Sequence, residues 1–367
     1  MVIDLMAHIM SEEYGNPSSL HRMGMEAEGY VRTAREQVAK AMGASPEEIY
    51  FTSGGSESDN TAIFGGAYKG RRQGRKILTS CIEHPAVLES FARLKEEGFE
   101  TVLLPVDKNG VLDMEAFDRE MDEDVILISL MHVNNETGTI QPVEEVAKKK
   151  GHALLHVDMV QSFGKLPIDL HGALSGVDMA SISGHKIHGP KGTGALYIRR
   201  GLNIRPFLVG GGQEKGLRSG TENVPAIAGL GLAAQTIYIN RERKNEHLRE
   251  IRDYMRGWFE ENIDHILLNS SEDGAPHILS ISFEKTRGEV LLHTLEQSGI
   301  YVSTGSACSS NKKGQSHVIK AMGRTDKQVE GTLRFSLCDS CTMDEAKFVC
   351  EKTKEAVERF RRLGSFR

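Results

Sequence analysis

Lys186 stands between two histidines in SISGHKIHGPKGTG (181–194), after a short apolar run and before a glycine-rich turn. A loop lysine is ordinarily a solvated charge. Four other places in the chain repeat its setting, each a polar group directly after a run rich in Val, Ile and Leu. Asp158 and Gln161 lie in HVDMVQS (156–162), Asn135 and Glu136 in HVNNETGT (132–139). His84 lies in EHP (83–85), and Gly55 and Ser56 in TSGGSE (52–57). Taken singly, each has a plain structural explanation: a bare turn, a loop histidine, a carboxylate capping the next helix. An amine, a carboxylate and a loop of small residues with a hydroxyl become a chemical set only if the fold brings them to one place.

The elements between them supply that place. IYFT, KILTS, TVLLPV, VILISLMHV, ALLHVD and VDMASIS read as short buried strands, separated by helical stretches such as 26–42 and SESDNTAIFGGAYKG. In the latter, Ser and Glu are expected as capping residues. This alternation predicts a mostly parallel sheet covered by helices. GALYIRR follows VDMASIS so closely that the two are expected to pair antiparallel. In such sheets ligands sit at the carboxyl ends of the strands, where all five polar stretches fall. Residues 226–262 predict a long charged helix bridging to a second domain. There HILSISF, GIYVSTG and LRFSL read as strands, and 288–297 and 343–363 as helices. The expected division is a large domain, 12–240, and a smaller α+β domain from 1–11 and 241–367.

Composition narrows the chemistry. The 367 residues carry a formal charge of −6, so no basic excess favours nucleic acid or a membrane surface. No apolar run reaches the roughly 20 residues of a membrane span, and the N-terminus has no basic segment or cleavage site of a secretory signal. Five scattered cysteines are not a disulfide framework, which implies a reducing, cytoplasmic setting. A lysine amine, a carboxylate and a phosphate cradle at neighbouring strand ends suit pyridoxal phosphate. The amine links to the cofactor, the carboxylate pairs with the pyridine nitrogen and keeps the ring an electron sink, and His84 is a candidate for the ring face.

YGNPSSLH (14–21), FTSGGSES (51–58), EHPAVL (83–88), HVNNETGTIQP (132–142), HVDMVQSFGK (156–165), SGHKIHGPKGTGALY (183–197), RSGTENVP (218–225), STGSACSS (303–310) and LRFSL (333–337) carry a resemblance. As a set they resemble the cysteine desulfurases of the class-V aminotransferase family, in the subgroup whose cysteine sits in an SGSAC-type loop. The resemblance implies fold type I of the pyridoxal-phosphate transferases and a homodimer. It implies that Lys186 forms the Schiff base and that Gly55, Ser56, Ser183 and His185 hold the phosphate, with Thr221 reaching the other subunit's phosphate. Asp158 would pair with the pyridine nitrogen, Gln161 with the phenolic oxygen, and His84 would stack on the ring. Asn135 would lie beside that oxygen and the substrate carboxylate, which Arg334 would grip. Cys308 would take sulfur from L-cysteine as a persulfide, leaving L-alanine. A partner in iron–sulfur cluster assembly or in tRNA or cofactor thiolation would receive it. No resident metal is implied, though Cys308 could ligate an iron–sulfur cluster in transit.

Two departures stand out. The Asp-Asn-Ala-Ala-Thr-like strand that usually opens these proteins is not found, which keeps an impaired partner protein in view as an alternative, beside selenocysteine lyase. LRFSL also continues as CDSCT (338–342), a C-x-x-C pair open to redox or metal chemistry and equally readable as incidental thiols.

Overall fold

The structure, a computed structural model, describes residues 1–305, 315–362 and 364. Its strands are β1 (Ile49–Thr52), β2 (Lys76–Ser80), β3 (Glu100–Leu104), β4 (Val125–Met131), β5 (Leu154–Asp158), β6 (Met179–Ser183), β7 (Gly194–Ile198), β8 (Ile266–Leu268), β9 (Ile278–Phe283) and β10 (Thr332–Ser336). The helices are α1 (Val2–Ser11), α2 (Arg22–Met42), α3 (Gly55–Gly70), α4 (Pro85–Glu96), α5 (Met114–Glu120), α6 (Val143–Lys149), α7 (Val224–Asn262), α8 (Gly288–Glu296), α9 (His317–Ala321), α10 (Asp326–Glu330) and α11 (Met343–Arg362).

The chain divides into two compact units. The first comprises Met1–Leu104, Met114–His132 and Pro142–Arg241. Its sheet has the order β1-β7-β6-β5-β4-β2-β3. β7 runs antiparallel to both its neighbours, β1 and β6, and the other pairs are parallel. The expected β6–β7 pairing is therefore present. Every residue of β2, β4, β6 and β7 is buried, as strands covered on both faces require. The edge strand β3 is the most exposed. α3 lies close on the sheet because its contact side is small: a Cβ on Gly70 would stand 2.8 Å from Ile126 Cβ. Ala62, Ile63, Phe64 and Ala67 of α3 join Ile77, Leu127, Met179 and Leu196 in one core.

The second unit comprises Pro105–Asp113, Val133–Gln141 and Glu242–Arg367. Its sheet is the antiparallel β10-β9-β8. Phe259 of α7 packs on Phe283 of β9 and Phe335 of β10, with ring centroids 5.8 and 5.4 Å apart.

Several expectations differ from this arrangement. Residues 1–11 fall in the first unit, where Met6 packs against Gly229 of α7 and Ile9 is buried. Two excursions, 105–113 and 133–141, fall in the second unit although they leave strands of the first. GIYVSTG is not a strand. Tyr301 is exposed, and only Ser303 pairs, through one isolated bridge to Arg334. α3 begins at Gly55 with no side-chain cap on Gly54, and of the expected capping pair Glu57 accepts from the Ser53 N–H while Ser56 is exposed.

Candidate active site

Thr52, Asp158 and Ser183 end β1, β5 and β6, and all three strands point the same way, so their carboxyl ends share one edge. Gly54 makes the turn from β1 into α3 with φ +150°, a value that a side chain resists. β7 also presses on it, since a Cβ on Gly194 would lie 2.7 Å from Gly54 Cα. The 16-residue α3 therefore starts on glycine, and its first N–H groups carry no side-chain cap among the described residues. That end suits an anion. Ser183 Oγ lies 2.9 Å from His185 Nδ1. Lys186 follows on the 3-10 turn Gly184–Ile187, exposed like His185, and its carbonyl accepts from Lys165 Nζ. Partial desolvation of the ring, though the residue as a whole is exposed, and then the charges of Lys186, Lys191 and Lys165 hold His185 below the usual imidazole range. The positive charge about His185 and the uncapped start of α3 suit an anion.

Asp158 is buried and accepts a 2.8 Å hydrogen bond from the Val160 N–H. Burial pushes its carboxyl up to about 6, against the pull of the Val160 N–H and the Lys186 ammonium. Beneath it lies a layer of buried polar groups. His156 Nδ1 is 2.8 Å from Ser129 Oγ, and its Nε2 is 2.9 Å from Ser181 Oγ. Burial holds His156 down to about 3, so the ring is neutral. Asp59 Oδ1 approaches His156 Nε2 to 3.6 Å and has no hydrogen-bond partner among the described residues. Burial and the negative charge of Asp158 raise Asp59 well above the ordinary carboxyl value, against a hydrogen bond from Ser181. Glu83 accepts from Ser80 Oγ at 2.5 Å and from the Met131 N–H at 3.0 Å, and burial pushes it up to about 8. Of the three buried acids Asp158 ionises most readily. An ionised carboxylate in this position suits a cation.

His84 caps α4, its Nδ1 accepting from the Ala86 N–H at 3.1 Å, which leaves the proton on Nε2. Gln161 is half-buried in the turn after Asp158, and Ser56 is exposed in the first turn of α3. Thr221 is exposed and lines a cavity of about 160 Å³ with Thr52, Ser53 and Thr193. Arg218, three residues before it, pairs with Glu57 of α3 at 2.9 Å, and Glu57 also accepts from the Ser53 N–H.

Asn135 and Arg334 belong to the second unit. Arg334 Nη1 donates to the Asn135 carbonyl at 2.7 Å and Nη2 to Ser303 Oγ at 3.1 Å. Its Nε is buried with no hydrogen-bond partner among the described residues. A guanidinium so clamped presents a donor of fixed direction, suited to a carboxylate. Glu136 is buried and accepts from Ser316 Oγ. Burial pushes it up to about 7, against the pull of Ser316 and Arg334. Cys308 lies outside the described residues. Among the described residues no cluster of three or more His, Cys, Asp and Glu is placed to hold a metal, and no helix is long and apolar enough to cross a membrane.

Sequence patterning does not announce the polar layer of Asp59, His156 and Ser181. Its one legible signal is LLHVD, where His156 and Asp158 share a face of an otherwise apolar strand.

The aminotransferase class-V family model matches residues 1–349. The chain is 40% identical to cysteine desulfurase IscS of Dictyoglomus turgidum, covering 100% of this chain and 93% of that protein. It is 42% identical to a cysteine desulfurase of Nostoc sp., covering 100% and 92%. A solved NifS-like protein superposes with a TM-score of 0.91 at 41% identity, covering 98% of this chain and 95% of that one. The chain belongs to the class-V aminotransferase family and, within it, to the cysteine desulfurases.

Proposed function

We propose that this cysteine desulfurase binds pyridoxal phosphate at the carboxyl edge of the first unit's sheet and passes the sulfur of L-cysteine to Cys308 as a persulfide. One observation supports the cofactor assignment above the others. A buried carboxylate, Asp158, feels the Lys186 ammonium, and the uncapped start of α3 and Ser183–His185 flank them. Gly55, Ser56, Ser183 and His185 would hold the phosphate, with Thr221 serving the partner subunit of a homodimer. Gln161 would hold the phenolic oxygen and His84 the ring face. When bound, the cofactor supplies an electron sink for negative charge at the substrate Cα.

The chain's own groups do the rest. Arg334 fixes the substrate carboxylate, with Asn135 beside it. Lys186, the amine that bonds the cofactor at rest, takes the Cα proton onto Nζ. Asp158 stays ionised against the pyridine nitrogen. The Cys308 thiolate attacks the substrate sulfur. An S–S bond forms as the Cβ–S bond breaks, the carbon side keeps the electron pair and takes a proton, and alanine leaves. In a reducing, cytoplasmic setting the persulfide passes to an acceptor protein of iron–sulfur cluster assembly or of tRNA or cofactor thiolation.

Borohydride reduction of the cofactor-loaded protein tests the assignment. The cofactor is expected on the peptide carrying Lys186. Its recovery on the Lys165 or Lys191 peptide would overturn the reading of the edge.

A further inference from the structure

Cys338 and Cys341 lie where the chain leaves β10 and enters α11. A turn closed by a 3.0 Å hydrogen bond from the Cys341 N–H to the Cys338 carbonyl brings their sulfurs to 3.7 Å. A disulfide needs about 2.05 Å between sulfurs, so closure asks for a side-chain adjustment of under about 2 Å. The two thiols are unequal. The Cys338 Sγ has the Ser340 hydroxyl 3.1 Å away, while the Cys338 N–H donates to the Cys341 Sγ at 3.4 Å. Both stand just ahead of the 20-residue α11, whose amino end is fixed by Thr342 and Glu345 capping each other and whose dipole favours a thiolate. Burial raises Cys338, but hydrogen bonds from the Ser340 hydroxyl and N–H outweigh it and hold that thiol below the usual range, while burial keeps Cys341 above it. By contrast Cys350, sealed in the core of this unit, is pushed up to about 12.

The pair opens on a cavity of about 490 Å³, with Ile251, Ile300, Val302, Phe348 and Val349 on its walls. That volume admits a small molecule beside the sulfurs. No third metal ligand accompanies the pair among the described residues, which favours thiol chemistry over metal binding.

We infer that Cys338 and Cys341 form a redox-active dithiol that exchanges with low-molecular-weight disulfides, Cys338 attacking and Cys341 resolving. The Cys338 thiolate attacks one sulfur of the disulfide RSSR. A Cys338–SR bond forms, and one RS⁻ leaves and takes a proton. Cys341 then gives up its proton to solvent and attacks the Cys338 sulfur, closing the Cys338–Cys341 disulfide and releasing the second RS⁻. The dithiol is oxidised by two electrons, and RSSR is reduced to two thiols. This chemistry stands apart from desulfuration and needs no turnover to observe.

The test equilibrates the cofactor-loaded protein with glutathione and glutathione disulfide at graded ratios, quenches with acid, and maps thiols by mass spectrometry. The expected product has lost two hydrogens and joins Cys338 to Cys341. Cys341→Ser should stop at a stable glutathione adduct on Cys338, and Cys338→Ser should gain at least tenfold less adduct on Cys341. Matched thermal unfolding of both variants and wild type controls for folding. A pair that stays reduced at every ratio, or equal adducts in the two variants, would overturn the inference.

Discussion

Asp158→Asn isolates one charge without disturbing the turn that holds it. The Val160 N–H donates to Asp158 Oδ1 at 2.8 Å, and an asparagine Oδ1 accepts the same bond. The charge is what changes. Burial already lifts this carboxyl to about 6, and it raises Asp59 and Glu83 below it as well, so neither is a ready source of the lost charge. Removing one partner of a buried ion pair leaves the other uncompensated at a cost of about 3–5 kcal/mol. At about 1.4 kcal/mol per tenfold, Cα deprotonation should slow by roughly two to three and a half orders of magnitude. The groups proposed to hold the phosphate are untouched, so the cofactor should still bind. The assay is exchange of the L-cysteine Cα hydrogen in deuterated water, read beside the visible absorbance of the bound cofactor. Exchange at the wild-type rate with cofactor bound would refute the reasoning.

Three further perturbations follow from the same geometry. Lys186→Ala should lose both the visible absorbance of the bound cofactor and all turnover, and a coloured, borohydride-reducible variant would contradict its role. Arg334→Lys exchanges a clamped fork for a point charge. At about 1.5–3 kcal/mol for hydrogen bonds to a charged group, the KM for L-cysteine should rise roughly tenfold to a hundredfold with cofactor absorbance unchanged, and an unchanged KM would exclude this arginine from the carboxylate site. Glu83 titrates near 8 in the folded chain against 4.5 as the ordinary value, so its stabilising share is full below about 4.5 and is lost as pH rises towards 8, by at most about 5 kcal/mol. Thermal unfolding of the cofactor-free protein across pH should show Glu83→Gln flattening that decline, and parallel wild-type and variant curves would count against it.

The periodicity that announces β4, β5 and β6 is local, because strands buried on both faces must be continuously apolar, and a polar residue at the end of such a run marks the ligand edge. Asp158 and Lys186 were legible for that reason. Asp59 was not. It sits within α3, where its sequence context, SESDN, resembles any solvated first turn, and only the close approach of α3 to the sheet sets it beside His156. The excursions 105–113 and 133–141 escaped for a similar reason, since nothing in a loop's composition states which unit will enclose it. GIYVSTG misled because its β-branched and aromatic residues mimic a strand while Tyr301 faces solvent. Cys338 and Cys341 were visible as a motif, but their inequality depends on Ser340 and the start of α11.

On the proposed function, sulfur leaves cysteine onto Cys308. Feeding sulfur-labelled L-cysteine to the cofactor-loaded protein, in the wild type and in Cys308→Ser, and counting alanine and protein-bound label together tests it directly. The wild type should yield alanine and carry the label on the peptide spanning 303–317. Cys308→Ser should still take up cofactor yet release no alanine and carry no label. Alanine formed by Cys308→Ser at near the wild-type rate, or label found on Cys338 or Cys341 in its place, would contradict the account.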